Sequence, residues 1–393
     1  MSMISFEKAL EIVMGNAFST GTEVVRWTDS MDRILAENIF SDTDLPPFDR
    51  SSVDGFACRK SDLDRELEII ETIPAGKWPS ESVRAGQCSR IMTGAPVPEG
   101  ADCVIMVEDT EIVNPDKIRF KGSFLKDNIA CRGEDVREGD VVLRAGKLIK
   151  PQDIAVMASV GHISVVVGKK PRVAVISSGS ELVEPSEKPS RQGIRNSNSS
   201  QLLAQISRTG ISGCYYGIAP DDEEITLDLV RKALSENDIV IITGGVSMGD
   251  FDFVPSVLEK AGVKILFDRI AVQPGKPTTF GVHGTGVVFG LPGNPVSSFI
   301  QFEMLVRPFI YKTMGYDWKP YEIRLPIREQ YKRKNAGRLA LIPVAITDDH
   351  SVVPVDYHGS AHISALPYAD GIIRLGVGET VIEKGKIVNV RQF

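Results

Sequence analysis

The stretch from Ile239 to Asp252, IVIITGGVSMGDFD, holds the sharpest contrast in the chain. Four consecutive β-branched residues, Ile239 to Ile242, give way to Thr243-Gly244-Gly245-Val246-Ser247-Met248-Gly249, where three glycines and two hydroxyls replace the apolar run. A short apolar run flanked by helical patterns is the signature of a parallel-sheet strand covered on both faces. The loop behind it then falls at the carboxyl edge, where open α/β sheets bind ligands. Glycines there let backbone N–H groups approach an anion closely, and Thr243 and Ser247 add hydroxyls. On its own such a loop reads equally well as a turn that needs glycine for geometry. Asp250 and Asp252 follow directly, and carboxylates beside a phosphate cradle repel the ligand unless a cation sits between them, which points to Mg²⁺.

Working outward, residues 170–317 alternate strand and helix patterns. Arg172 to Ile176 ends in Ser177-Ser178-Gly179-Ser180-Glu181, and Asn198 is expected to cap a helix carrying Leu202, Leu203 and Ile206. A strand through Tyr215 to Ile218 ends at Asp221-Asp222, before a helix with Ile225, Leu229 and Val230. After the central strand come Gln273-Pro274-Gly275-Lys276-Pro277, a hairpin pairing Thr279–Val282 with Val287–Leu291, and Leu291-Pro292-Gly293-Asn294-Pro295 before a long apolar helix. This order predicts a doubly wound, mostly parallel sheet. Right-handed crossovers place its polar loops, SSGSE, PDD, TGGVSMG and LPGNPVS, on one edge.

The flanks differ. Residues 1–169 form a composite domain: an N-terminal helix behind Ser5, a second helix near Met31–Glu37, then a β-rich lobe over about 45–140. Within it DTDLPPFDRSSVDGF (42–56), Thr93-Gly94-Ala95-Pro96 and Arg132-Gly133-Glu134-Asp135 are polar surface loops. Residues 318–393 read as short strands and predict a small β-barrel or sandwich, of which the barrel is preferred. The whole is a multidomain α/β protein.

Length and composition bound the rest. A chain of 393 residues, with 42% hydrophobic and 25% charged residues, fits a soluble protein of about two to four domains. The net charge of −7 argues against a nucleic-acid-coating role. Cys58, Cys88, Cys103, Cys131 and Cys214 are scattered and read as reduced packing residues. Glu7, Lys8 and Glu11 interrupt the N-terminal apolar pattern, so no signal peptide is expected, and no apolar run reaches the ~18 residues of a membrane span. A cytoplasmic protein is expected. A nucleophile elbow, a P-loop and a dinucleotide fingerprint are all missing, which leaves a phosphorylated ligand held through a divalent cation, with transfer at phosphorus.

TGGVSMGDFD, PGKP, GLPGNPVS, RIMTGAPVPEGAD, RGED and SVDGFA occur in one chain. Together they resemble the molybdopterin molybdenumtransferase family (MoeA and the E domain of gephyrin). The resemblance implies a homodimer whose active site lies between the sheet domain of one subunit and the N-terminal domains of the other. It also implies insertion of molybdate into adenylylated molybdopterin, with Mg²⁺ required and AMP released. By motif, Asp54, Asp135, Glu181, Asp221 and Asp252 are the functional carboxylates, with Asp221 and Asp252 on the metal. Thr93, Gly94, Thr243, Gly244, Gly245, Ser247, Gly249, Pro292, Gly293, Asn294 and Pro295 shape the pterin and phosphate pocket. Lys276, Ser297, Arg338 and Ser360 are candidates for the oxyanion. Two positions depart from the family pattern: Gln273 stands where relatives often carry lysine, and Ser180 where an aspartate often precedes the motif glutamate. Expected partners are a molybdopterin adenylyltransferase and downstream molybdoenzyme maturation proteins, with no nucleic acid and no membrane. The alternatives are an adenylyltransferase-like pterin enzyme, against which the N-terminal motifs argue, and a scaffold of the gephyrin type.

Overall fold

The computed structural model describes residues 2–123, 126–245, 254–356, 359 and 361–393. At its centre is a six-stranded sheet in the order Gly213–Ala219, Val173–Ser178, Ile239–Thr243, Gly286–Leu291, Thr279–His283, Lys264–Phe267. The first four strands run parallel and Thr279–His283 runs antiparallel to both its neighbours, so the expected hairpin forms, as Thr279–His283 with Gly286–Leu291. Alternation explains the β-branched run. Ile239 and Ile241 enter a core beneath the helices Phe6–Gly15, Ser197–Ser207 and Arg307–Thr313, while Val240 and Ile242 enter a second core beneath Glu223–Glu236 and Val254–Lys260. With apolar cover on both faces, neither side of the strand tolerates a polar residue.

The helix beginning at Ser197 is capped by Asn196, whose side chain accepts from Ser199 N–H. Asn198 therefore sits inside the first turn, not at the cap, which frees its amide for the cleft described below. The long apolar helix runs as Pro295–Gln301, a π-helical segment Phe302–Val306, and Arg307–Thr313.

The N-terminal β-rich lobe is a six-stranded sheet of Cys103–Met106, Gly55–Cys58, Gln87–Ile91, Glu66–Ile73, Lys117–Phe120 and Thr110–Asn114. The chain enters and leaves it through paired segments: Ile39–Phe40 with Val141–Leu143, and Arg50–Ser51 with Ile129–Ala130. The helix expected near Met31–Glu37 does not form. Ile34 joins the central core and Leu35 a separate one, so neighbouring residues point opposite ways, which is strand geometry; they bridge Leu148 and Val167.

Residues 322–393 form the expected barrel. Glu322–Pro326, Ile387–Gln392, Gly371–Leu375, Leu339–Ile346 and Val352–Pro354 pair in sequence. A parallel bridge from Ile327 to Val352 closes the ring, with Arg328 N–H donating to Val352 O at 2.9 Å. Val272–Gln273, leaving the central sheet, adds to the barrel beside Leu339–Ala340. Three cysteines, Cys58, Cys88 and Cys103, are buried at one register of the lobe, whereas Cys131 and Cys214 are exposed and are not packing residues. Among the described residues no helix is long and apolar enough to cross a membrane.

Candidate active site

The strand Val173–Ser178 has neighbours on both sides, and the chain visits Gly213–Ala219 on one before Ile239–Thr243 on the other. Helices connecting to the two sides diverge, and a crevice opens above the strand ends. There a cleft of about 730 Å³ is lined by the ends of these strands and by residues of the C-terminal domain, including Ile363. It gathers Glu181, Asp221, Thr243, Gly244, Gly245, Pro292, Gly293, Asn294 and Pro295, all singled out in the sequence.

The glycines are demanded by close approach. Gly244 has φ +94°, and a Cβ there would lie 2.2 Å from Ser178 O. Gly179, at φ +146°, lets the Glu181 carboxylate fold back, 2.5 Å from where a Cβ would stand. Ser180 clamps Asp221: its N–H donates to Asp221 Oδ2 at 3.1 Å, and its hydroxyl accepts from Asp221 N–H at 2.8 Å. The serine at this departing position thus holds the aspartate loop in place.

Two expected anion donors are engaged within the protein. Thr243 Oγ1 donates to Pro292 O at 3.1 Å, and Gly244 N–H donates to Leu291 O at 3.2 Å. Asn198 Nδ2 reaches both Thr243 Oγ1 and Gly293 O at 2.8 Å, tying the TGG and PGNP loops together. Behind it, Asn196 accepts from Ser177 Oγ at 3.0 Å and donates to Tyr215 OH at 2.8 Å, which donates to Glu184 at 2.9 Å. Burial, then the bond to Glu184, pushes the Tyr215 hydroxyl up to about 12, so it stays a donor. Asn196 and Asn198 were not singled out as ligand-facing in the sequence, though the polar run Asn196-Ser197-Asn198-Ser199-Ser200 was the signal available; Ser178 lay in the SSGSE loop already expected on this edge.

The remaining candidates lie apart. Asp54 and Thr93 meet on the N-terminal lobe, where Asp54 Oδ1 accepts from both the backbone N–H and the hydroxyl of Thr93 at 2.7 Å. Thr93's N–H first, and its hydroxyl next, hold the Asp54 carboxyl below the ordinary carboxylate range. Gly94 N–H donates to Ser51 O at 2.8 Å, and Asp135 N–H to Leu45 O at 3.0 Å, on loops of the same lobe. Both side chains of the Asp54–Thr93 pair are absent from the cleft lining. Lys276 is exposed on the QPGKP loop, Arg338 donates to Val272 O at 3.2 Å, and Ser297 is buried in the first turn of its helix. Ser247, Gly249, Asp250, Asp252 and Ser360 lie outside the described residues.

Fold and cleft together define a multidomain α/β protein with a cleft at the strand ends of its central, mostly parallel sheet. The MoeA N-terminal region (domain I and II) matches residues 4–161, a probable molybdopterin binding domain residues 174–312, and the MoeA C-terminal region (domain IV) residues 328–393. A molybdopterin molybdenumtransferase of Staphylococcus epidermidis is 36% identical over 398 residues, covering 98% of this chain and 95% of that one. One from Staphylococcus aureus is 34% identical over the same shares. The crystal structure of a molybdopterin biosynthesis MoeA protein from Pyrococcus horikoshii superposes with a TM-score of 0.87 at 31% identity, over 100% of both chains. The chain belongs to the molybdopterin molybdenumtransferase family, transferases of molybdenum cofactor biosynthesis.

Proposed function

We propose that this protein inserts molybdate into adenylylated molybdopterin in a Mg²⁺-dependent step that releases AMP. The observation that carries the proposal is the cleft at the sheet's switch point, where Glu181 and Asp221 stand beside the TGG and PGNP loops. Both substrates are anions, and bringing them together is unfavourable unless cations and dipoles compensate. Asp221 fits a hard cation: one carboxylate oxygen is held by Ser180 N–H, and the other has no partner among the described residues. With Asp252 it would hold Mg²⁺, which supplies neutralisation of charge developing on the phosphates. Lys276 and Arg338, both tied to the segment 272–276, are the cations proposed for molybdate.

The Asp54–Thr93 pair and Asp135 sit on a lobe outside this cleft. That separation supports a homodimer in which the lobe of one subunit completes the cleft of the other. A soluble cytoplasmic setting and hand-over from an adenylyltransferase to molybdoenzyme maturation proteins complete the proposal.

The test is AMP release from adenylylated molybdopterin with molybdate. Asp221→Ala and Asp252→Ala are each expected to abolish it while the protein remains folded, and chelation of Mg²⁺ is expected to stop the native enzyme reversibly. Undiminished release by either variant would reject the metal assignment.

A further inference from the structure

The floor of the cleft holds a buried acceptor that nothing in the chain is placed to satisfy among the described residues. Asn198 is 8% exposed and lines the cleft. The orientation of its amide is fixed by chemistry: the atom 2.8 Å from the Gly293 carbonyl must be the NH₂, because a carbonyl oxygen only accepts. That NH₂ also serves Thr243 Oγ1, whose own proton goes to Pro292 O. Oδ1 is left shut off from solvent, with no hydrogen-bond partner among the described residues. Ser178, on the same cleft and 4% exposed, has a hydroxyl in the same condition. Buried polar groups are almost always paired, so two unpaired ones on one cleft mark places for a ligand.

The ligand's chemistry follows from the free atom. An ionised phosphate or an oxyanion carries only acceptor oxygens, and its lone pairs would face the lone pairs of Oδ1. The Thr243 hydroxyl and Gly244 N–H are already committed, which leaves the Ser178 hydroxyl as a donor beside the Asn198 acceptor. What satisfies Asn198 is a donor, as an N–H group on a planar heterocycle seated against the strand ends provides. We infer that Asn198 is a specificity-determining residue whose Oδ1 accepts from the exocyclic amino group of the pterin, so that the ring lies against this side chain. This inference rests on molybdopterin being the ligand of the cleft.

A site built to receive an N–H rejects the analogue lacking it, because the buried acceptor stays unpaired. The experiment is equilibrium binding of oxidised molybdopterin, its 2-desamino analogue and AMP to the full-length protein and to Asn198→Ala, read by calorimetry. The native protein is expected to bind the amino form at least about tenfold more tightly than the desamino form. Asn198→Ala is expected to bind both forms alike. Equal binding of the two forms by the native protein, a comparison that needs no variant, would overturn the inference while leaving the proposed function standing. A preference that survives in Asn198→Ala would assign the amino group to another residue and overturn it too. No molybdopterin binding at all, with AMP bound, would overturn the proposed function itself.

Discussion

Single side chains here do two jobs, holding loops and presenting chemistry, and Asp54 shows how. Its carboxylate accepts from the N–H and the hydroxyl of Thr93, and together they keep the carboxyl ionised to lower pH than an ordinary aspartate. Thr93→Val removes the hydroxyl and keeps the backbone N–H, so the Asp54 midpoint is expected to move upward toward the ordinary value. Carboxyl carbon titration by NMR reads this directly, and an unmoved midpoint would show that the backbone bond alone suffices. Ser180 is the corresponding case in the cleft, donating to the Asp221 carboxylate and accepting from its backbone. The resemblance singled out both aspartates because they sit in motifs, but it was silent on what holds them. Asn198 was misread as a cap for the same reason: N-S-N-S-S offers two asparagines, and only the tertiary position of Gly293 and Thr243 shows which one caps and which one braces.

At the level of elements, the cleft depends on a helix start and a tight loop. Asn196 caps Ser197–Ser207 and joins Ser177 and Tyr215 to it, so Asn196→Ala is expected to lower stability by about 1–2 kcal/mol in denaturant melts. A loss near zero would mean that water or Ser197 replaces the cap. Gly244→Ala asks more of the fold, since its Cβ would collide with Ser178 O and its φ is left-handed. A cost of about 1–3 kcal/mol is expected, with loss of pterin binding as the Thr243 and Ser178 strand ends part. Strands buried on both faces were legible, because Ile239–Ile242 must be apolar at every position to satisfy two cores. The segment around Ile34 was not, because two adjacent apolar residues fit either a helix or a strand until the partners, Leu148 and Val167, are known. The strands of the C-terminal domain were legible, but what closes them into a barrel and not a sandwich was not: among the described residues it is the bridge from Ile327 to Val352.

On the scale of the molecule, the described carboxylates divide between two places: Glu181 and Asp221 at the sheet edge, Asp54 and Asp135 on the inserted lobe. The order of motifs along the chain carries no information about that division, which arises from where the paired segments 39–40 and 141–143 direct the lobe. If the two groups act on one substrate pair, each active site draws on two subunits, as a closed twofold dimer allows. The direct test is complementation between defective subunits. Asp54→Ala and Asp221→Ala proteins, each inactive alone, are unfolded and refolded together, and AMP release is measured. Random pairing makes half the dimers mixed, and each mixed dimer carries one intact site, so about one quarter of native activity is expected to return. A mixture as inactive as its components would contradict the account and place all the carboxylates of each site within one chain.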